Sequence, residues 1–250
     1  MTTREDVVSF VNDYLQISSV PDSSLNGLQV EGRRVVRKIV FGVSASLELF
    51  KRAKAAGADM IIVHHGLLWG KEQALVGAFG QRVAFLLQNQ ISLLGYHLPL
   101  DKHPTIGHNA LLLKSLDAKN VRPFALYHEQ QIGFYGDIKE ISLSALTRKL
   151  QKICGAKARV LPFGPQKIRT VGLVSGGGWS MLPDGIDLKL DLFVTGSADE
   201  PAQEICREGK INCVALGHYN SEKIGVLALM KLVAEKFPVE TEFIDIQNPL

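Results

Sequence analysis

Short apolar runs alternate with amphipathic stretches along the chain, and this alternation constrains the fold more than any other feature of the sequence. The runs at 39–43 and 60–63 are rich in β-branched residues, which favours buried strands. Residues 3–15 and 47–55 repeat apolar side chains at helical spacing, which predicts helices. Because strands that alternate with helices are typical of mainly parallel sheets covered by helices, the sequence predicts an α/β protein.

The alternation of predicted strands and helices divides the chain into two α/β units. Residues 18–27 are dense in turn formers and predict a loop. Residues 117–136 are polar and aromatic, which places the seam between the two units there. The predicted domains are residues 1–122 with 221–250, and residues 123–220. Further helices are predicted near 81–89, 108–116, 142–154, 200–208 and 221–235. Further strands are predicted near 91–94, 132–135, 158–162, 168–174, 191–195, 213–216 and 239–246.

Composition narrows the class of protein. The 250 residues are 46% hydrophobic and 21% charged, as is ordinary for a soluble globular chain. The formal net charge is only +3, and the densest basic patch, at residues 33–38, has no interleaved aromatic side chains. A nucleic-acid partner is therefore not expected.

Cysteine usage and the amino terminus predict a cytoplasmic location. Cys154, Cys206 and Cys213 are odd in number and have no C-x-x-C spacing, which argues against disulfides and cysteine-rich zinc sites. The first residues lack the pattern of a signal peptide. No apolar run approaches the roughly 20 residues that span a bilayer, so no membrane partner is expected.

A pair of histidines ends the strand predicted at 60–63. His64 and His65 are followed by Gly66, which lets the backbone turn. In open α/β sheets ligands bind at the carboxyl ends of strands. Because successive side chains of a strand point to opposite faces, the two imidazoles are expected to diverge toward two metal ions. The alternative is a turn in which one histidine caps a backbone group and the other lies in solvent.

A second candidate group follows the strand predicted at 213–216. If a helix begins near residue 220 or 221, His218 lies in the turn before it and Glu222 in its first turn, where both can face one point. A carboxylate there also suits the helix dipole. The alternative is an ordinary salt-bridged helix start.

A third group follows the strand predicted at 91–94. In His97-Leu-Pro-Leu-Asp101 the proline is expected to break any helix and to present Asp101 as a ligand. The alternative for Asp101 is a helix cap. His97 could coordinate directly, but the preferred interpretation is a catalytic role without direct coordination, in which it orients a ligand or shuttles a proton. His108 lies near Asp101 in sequence and is not counted in the site.

The three groups supply three imidazoles and two carboxylates, a set that suits metal ions. Five donors exceed the three protein ligands of an open tetrahedral site, and they suit two divalent ions with a bridging carboxylate. Zinc, iron and manganese all accept these ligands. The expected place for the ions is between the two units. The glycines of residues 175–178 could bind a phosphate or form a plain flexible turn.

Taken together, the motifs resemble the Nif-three-like dinuclear metal-binding family in its compact YbgI-type form. The motifs that carry the resemblance are Asn26-Gly-Leu-Gln-Val30, Ala58-Asp-Met-Ile-Ile-Val-His-His-Gly66, His97-Leu-Pro-Leu-Asp101, Gly107-His-Asn109, Val194-Thr-Gly196, Gly217-His-Tyr-Asn-Ser-Glu222 and Asn248-Pro249. They span nearly the whole chain. The resemblance implies the metal ligands His64, His65, Asp101, His218 and Glu222, with Glu222 as the bridge.

The same resemblance implies a fold, an assembly and an activity. The implied fold is two intertwined three-layer α/β/α units, assembled as a ring-shaped homohexamer. The implied activity is that of a GTP cyclohydrolase type 2-like hydrolase acting on a small nucleotide-like or heterocyclic substrate. The alternative is a non-catalytic, metal-binding oligomeric scaffold or interaction protein. Ser44 and Ser197 depart from the acidic residues that many relatives carry there, which puts substrate contacts in doubt.

Overall fold

Two mixed sheets carry the fold of the computed structural model, which describes residues 1–249. The first sheet belongs to a unit formed by Met1–Leu100 and Val226–Gln247, and the second to a unit formed by Asp101–Gly225 with residues 248 and 249. The predicted α/β class is confirmed. The domain bounds inferred from the sequence, 1–122 with 221–250 and 123–220, stay a prediction.

The helices and strands cover most of the described chain. The helices are α1 (Arg4–Leu15), α2 (Leu47–Ala55), α3 (Gly77–Gln88), α4 (Leu98–Asp101), α5 (His108–Ser115), α6 (Leu143–Cys154), α7 (Leu182–Asp187), α8 (Ala202–Gly209) and α9 (His218–Lys236). The strands are β1 (Gly27–Val30), β2 (Lys38–Ser44), β3 (Met60–His65), β4 (Ser92–Gly95), β5 (Lys119–Tyr127), β6 (Gln130–Ser142), β7 (Arg159–Pro162), β8 (Lys167–Val174), β9 (Leu192–Thr195), β10 (Asn212–Ala215) and β11 (Glu240–Phe243). Within residues 1–249, no helix has the length and apolar character that a bilayer crossing needs.

The first sheet has the strand order β1-β4-β3-β2-β11. Its strands are parallel except for β1, which pairs antiparallel with β4. The central strands are buried, as their continuous apolar sequences predict. Val63 of β3 pairs with Gly95 of β4, so the residues that follow these two strands meet at one edge of the sheet.

The second sheet has the order β5-β6-β8-β9-β10-β7. Only β8, β9 and β10 run parallel, and the other three pairings are antiparallel. Thr195 of β9 pairs with Val174 of β8 on one side and with Ala215 of β10 on the other. The loop after β8 and the start of α9 after β10 therefore leave the sheet at the same edge.

The structure differs from the sequence prediction mainly at the edge strands. The seam predicted at 117–136 is a long hairpin of β5 and β6, of which the sequence indicated only residues 132–135. Most of β5 is exposed, so its side chains lack the apolar pattern from which a strand is recognised. β1 likewise begins at Gly27, where the predicted loop ends, and α7 was not predicted.

The segment 98–101 corrects a further prediction. Pro99 was expected to break any helix, but it occupies the second position of the short helix α4. Proline is tolerated in the first turn, because the N–H groups there have no partner within the helix. Asp101 is accordingly the last residue of a helical turn.

Candidate metal centre

Three histidines gather at the edge of the first sheet where β3 and β4 end. His64 is fully buried at the end of β3, His65 follows it, and His97 lies two residues beyond β4. The ring centroid of His64 lies 4.5 Å from that of His65 and 5.2 Å from that of His97. One ring nitrogen of each histidine lies within 4.8 Å of the other two. The expected divergence of His64 and His65 is therefore small, and both face one region with His97.

Each of these imidazoles is held through its Nδ1 atom. The Nδ1 of His64 lies 2.9 Å from the backbone carbonyl oxygen of Tyr96, and that of His65 lies 3.2 Å from the hydroxyl of Ser44. A carbonyl oxygen only accepts, so the Nδ1 of His64 carries the proton and its Nε2 carries the lone pair. This is the usual arrangement of a metal-binding histidine, whose second nitrogen donates to a backbone or carboxylate oxygen.

His97 is held by the loop that precedes β1. Its Nδ1 lies 3.0 Å from Oδ1 of Asp22, and its backbone N–H donates to Oδ1 of Asn26 at 2.8 Å. Burial raises the pKa of the Asp22 carboxyl, but hydrogen bonds from His97, Asn26 and the Ser24 backbone outweigh it and lower the pKa to about 2. Asp22 is therefore a carboxylate, and it accepts the Nδ1 proton of His97. The sequence of residues 18–27 predicts only a loop and gives no sign of this contact.

The second unit places another imidazole and carboxylate on one helical face. α9 begins at His218, not at 220 or 221 as predicted, so that His218 and Glu222 are one turn apart within the helix. Nε2 of His218 lies 3.3 Å from Oε1 of Glu222. The Glu222 side chain is 3% exposed, whereas that of His218 is 39% exposed.

The loop after β8 packs directly on this pair. Gly176 has a φ of +60°, and an added Cβ there would overlap Oε1 of Glu222 and lie 3.2 Å from Nε2 of His218. Its N–H donates to the hydroxyl of Ser221 at 3.0 Å, and its carbonyl oxygen accepts from the N–H of Ser197 at 2.8 Å. Because this N–H already has an internal acceptor, the interpretation of the loop as a phosphate cradle loses support. The loop instead supports the donor atoms of α9.

Asp101 is fixed by the preceding residue of the same loop. The hydroxyl of Ser175 donates to Oδ1 of Asp101 at 2.9 Å, and the N–H of Ser175 donates to Oδ1 of Asn109 at 2.7 Å. Asp101 itself is 6% exposed. Residues 175 and 176 thus adjoin the three proposed donors that lie in this unit, Asp101, His218 and Glu222.

His108 adjoins the site, although it is not among the ligands predicted from the sequence. It is fully buried at the start of α5, and one of its ring nitrogens lies within 4.8 Å of a carboxylate oxygen of Asp101. The backbone N–H of Gly225 donates to Nδ1 of His108 at 3.1 Å. A neutral His108 therefore carries its proton on Nε2 and acts as a donor, which suits a partner of Asp101 better than a ligand. The Gly107-His-Asn109 motif was the one signal for it.

The donor atoms fit a divalent ion in spacing and in type. Two ligands at 2.0–2.1 Å from a tetrahedral ion stand about 3.3 Å apart, and the His218 and Glu222 atoms are separated by 3.3 Å. Imidazole and carboxylate are ligands of zinc, iron and manganese. Both units therefore contain residues that could serve as metal ligands. These are His64, His65 and His97 in the first unit, and Asp101, His218 and Glu222 in the second.

The chain is similar to known proteins over nearly its full length. The family model described as Duf34/NIF3 (NGG1p interacting factor 3) matches residues 2–249. A protein of Archaeoglobus fulgidus named GTP cyclohydrolase 1 type 2 homolog is 43% identical over 246 residues, covering 98% of each chain. A protein of the same name from Haemophilus influenzae is 36% identical over 247 residues, again covering 98% of each chain.

Solved structures show the same fold. The structure titled protein ybgI, of unknown function, has a TM-score of 0.93 and 33% identity over the whole of both chains. TTHA1606 from Thermus thermophilus has a TM-score of 0.92 and 35% identity, also over the whole of both chains. Reduced HcgD from Methanocaldococcus jannaschii is 21% identical at a TM-score of 0.87 over 98% of each chain, which shows likeness of fold alone.

Proposed function

Because the chain belongs to the Duf34/NIF3 family, we propose that it is a dinuclear metal-dependent hydrolase. The observation that carries the proposal is that each unit gathers metal-type donors at the carboxyl ends of its parallel strands. The proposed ligands of two divalent ions are His64, His65, Asp101, His218 and Glu222. Zinc, iron and manganese all suit this set.

The donor set favours a reactive site over a purely structural one. Structural zinc sites are commonly closed by four cysteine or histidine ligands, whereas the three cysteines of this chain are buried and are not among these donors. When bound, such ions lower the pKa of water and polarise a substrate oxygen. The residues around the donors keep them oriented: the Tyr96 carbonyl fixes the tautomer of His64, and the Ser175 hydroxyl fixes the rotamer of Asp101.

We propose a small nucleotide-like or heterocyclic substrate that is opened by water. The support is the name of two relatives, GTP cyclohydrolase 1 type 2 homolog, together with the imidazole and carboxylate donors described above. The departures at Ser44 and Ser197 bear on the substrate. Ser44 contacts His65, and Ser197 contacts the loop that supports Glu222, so both lie next to proposed ligands.

The test is a hydrolysis screen with matched variants. The chain would be loaded with zinc, iron or manganese and assayed against purine nucleotides and unphosphorylated heterocycles. We expect turnover by the unaltered chain and its loss in Glu222→Gln. The control His128→Gln, which alters an exposed histidine in the second unit, should retain turnover. Two bound ions without turnover on any of these substrates would contradict the hydrolase and favour a metal-binding scaffold.

A homohexamer is the assembly that we propose. It comes from the resemblance in sequence and is tested by the mass of the protein in solution. A monomeric mass would contradict it without affecting the ligand assignment.

A further inference from the structure

The loop between β3 and α3 is fixed at its start to β1 and to the residues before that strand. The side-chain oxygen of Gln29 accepts the N–H of Leu67 at 2.7 Å, and its amide nitrogen donates to the carbonyl of Leu25 at 2.7 Å. The N–H of Leu25 in turn donates to the carbonyl of Leu68 at 2.9 Å. Gly66 lies so close to the Gln29 amide that an added Cβ would overlap it. Surface loops are commonly mobile, but these contacts hold the start of this one in a single position.

The loop presents one large aromatic side chain to the solvent. Leu67 is 5% exposed, whereas Trp69, two residues later, is 38% exposed. Single exposed apolar side chains are normal on protein surfaces, but the indole Nε1 of Trp69 donates to the carbonyl oxygen of Gly66 at 3.1 Å. Because the one polar hydrogen of the indole is bonded within its own loop, the orientation of the ring is fixed. A fixed aromatic ring can bind another ring with little further loss of side-chain entropy.

The indole borders two imidazoles of the candidate centre. Its ring centroid lies 5.0 Å from that of His97, in an edge-on arrangement, and 6.1 Å from that of His65. A planar ring bound against the exposed part of the indole would therefore stand next to these imidazoles, with the groups on its edge presented to them. Small-molecule sites commonly combine aromatic walls with a few polar groups in this way.

We infer that Trp69 is a substrate-binding residue, on which a planar heterocyclic ring such as a purine base stacks. The inference rests on the proposed function and names the side chain that selects the ring. Base–aromatic stacking tolerates every base, because each has a π-face. Trp69 thus favours an aromatic ring without choosing among the bases, and a sugar phosphate that lacks a base gains nothing from the indole.

Equilibrium dialysis of guanosine, adenosine and uridine against the zinc-loaded chain tests the inference, with ribose 5-phosphate as the probe that lacks a base. Trp69→Ala should weaken nucleoside binding about 5–150-fold, the range that base–aromatic stacking supplies, and Trp69→Phe should restore part of it. The control Leu75→Ala, which removes apolar surface from a 66% exposed residue of the same loop, should leave the affinity unchanged. The zinc stoichiometry of all three variants should equal that of the unaltered chain.

Fluorescence separates stacking from a supporting role of the indole. The chain has two tryptophans, so Trp179→Phe leaves Trp69 as its only indole. Guanosine should quench the emission of Trp69 along the binding curve that dialysis gives, and ribose 5-phosphate should not. An indole that only supports His65 and His97 would show no quenching at guanosine concentrations that saturate binding.

Three outcomes would overturn the inference: no binding of any of the three nucleosides, equal nucleoside affinity in the unaltered chain and in Trp69→Ala, or nucleoside binding that leaves the Trp69 emission unchanged. A Trp69→Ala variant that loses zinc together with nucleoside binding would also overturn it, because the indole would then support the imidazoles. The proposed function fails separately. Nucleoside binding through Trp69 without turnover of any substrate would remove only the hydrolase, and turnover that is equal in the unaltered chain and in Trp69→Ala would remove only this inference.

Discussion

Replacing Gly176 by alanine tests whether the loop after β8 sets the position of the proposed ligands. Gly176 has a φ of +60°, in the left-handed region that an alanine enters at a cost of about 1–2 kcal/mol. The added methyl group would also overlap the carboxylate of Glu222 and press on the imidazole of His218. Relieving such overpacking costs about 1–3 kcal/mol, so we expect a total loss of about 2–5 kcal/mol in the free energy of unfolding.

Gly155→Ala is the matched control for this variant. Gly155 caps α6 with a φ of +65°, and among residues 1–249 no heavy atom beyond its chain neighbours lies within 4 Å of its added Cβ. The control therefore has the backbone strain without the collision. At about 2–4 °C per kcal/mol for a chain of this size, we expect Gly155→Ala to lower the unfolding midpoint of the metal-free protein by about 2–8 °C, and Gly176→Ala to lower it further.

Metal affinity separates the two variants more sharply than stability does. Binding tolerates displacement of ligand atoms by only about 0.2 Å, so Gly176→Ala should weaken metal binding by about tenfold or more, while Gly155→Ala leaves it unchanged. The assay is titration of zinc into metal-free protein, with unfolding followed by circular dichroism. Equal metal affinities in the two variants would refute the argument that Gly176 positions Glu222 and His218.

Three further predictions concern the support of the donors and the bound ions. Ser175→Ala should lower the free energy of unfolding by about 1.5–3 kcal/mol, because a buried hydroxyl that donates to the Asp101 carboxylate is lost. Urea unfolding measures this loss, and an unchanged unfolding midpoint would contradict the prediction. Ser44→Asp should tighten metal binding up to about tenfold, because a carboxylate hydrogen-bonded to Nδ1 of His65 makes the imidazole a better ligand. Zinc titration measures the affinity, and weaker binding would contradict the prediction. Removing the ions with a chelator should lower the unfolding midpoint, since an ion at 100 times its Kd stabilises the folded state by about 2.7 kcal/mol. An unfolding midpoint that does not depend on zinc would contradict this prediction.

The buried strands were predictable because their residues carry the signal themselves. The central residues of β2 and β3 are apolar and rich in β-branched side chains, and their burial on both faces follows from that composition. The prediction that metal-type residues collect where such strands end rested on the same pattern. The β5–β6 hairpin was missed because an exposed edge strand has no continuous apolar run.

The parts that the sequence did not predict depend on contacts between residues distant along the chain. Asp22 meets His97 across 75 positions, and Gly225 meets His108 across 117. No local pattern encodes such pairs, so the sequence predicts only a loop at Asp22 and no role for His108. The prediction for Pro99 is wrong for a local reason. A proline in the first turn of a helix and a proline that breaks a helix have the same local sequence pattern when the start of the helix is unknown.

The measurement that tests the central claim most directly is the metal content of protein purified without chelator and without added metal. It would be made on the unaltered chain beside His64→Ala and Glu222→Ala, which remove one proposed ligand from each unit. We expect close to two ions per chain in the unaltered protein and a lower content in both variants. An unaltered chain that binds no zinc, iron or manganese even after each is added back would contradict the dinuclear centre.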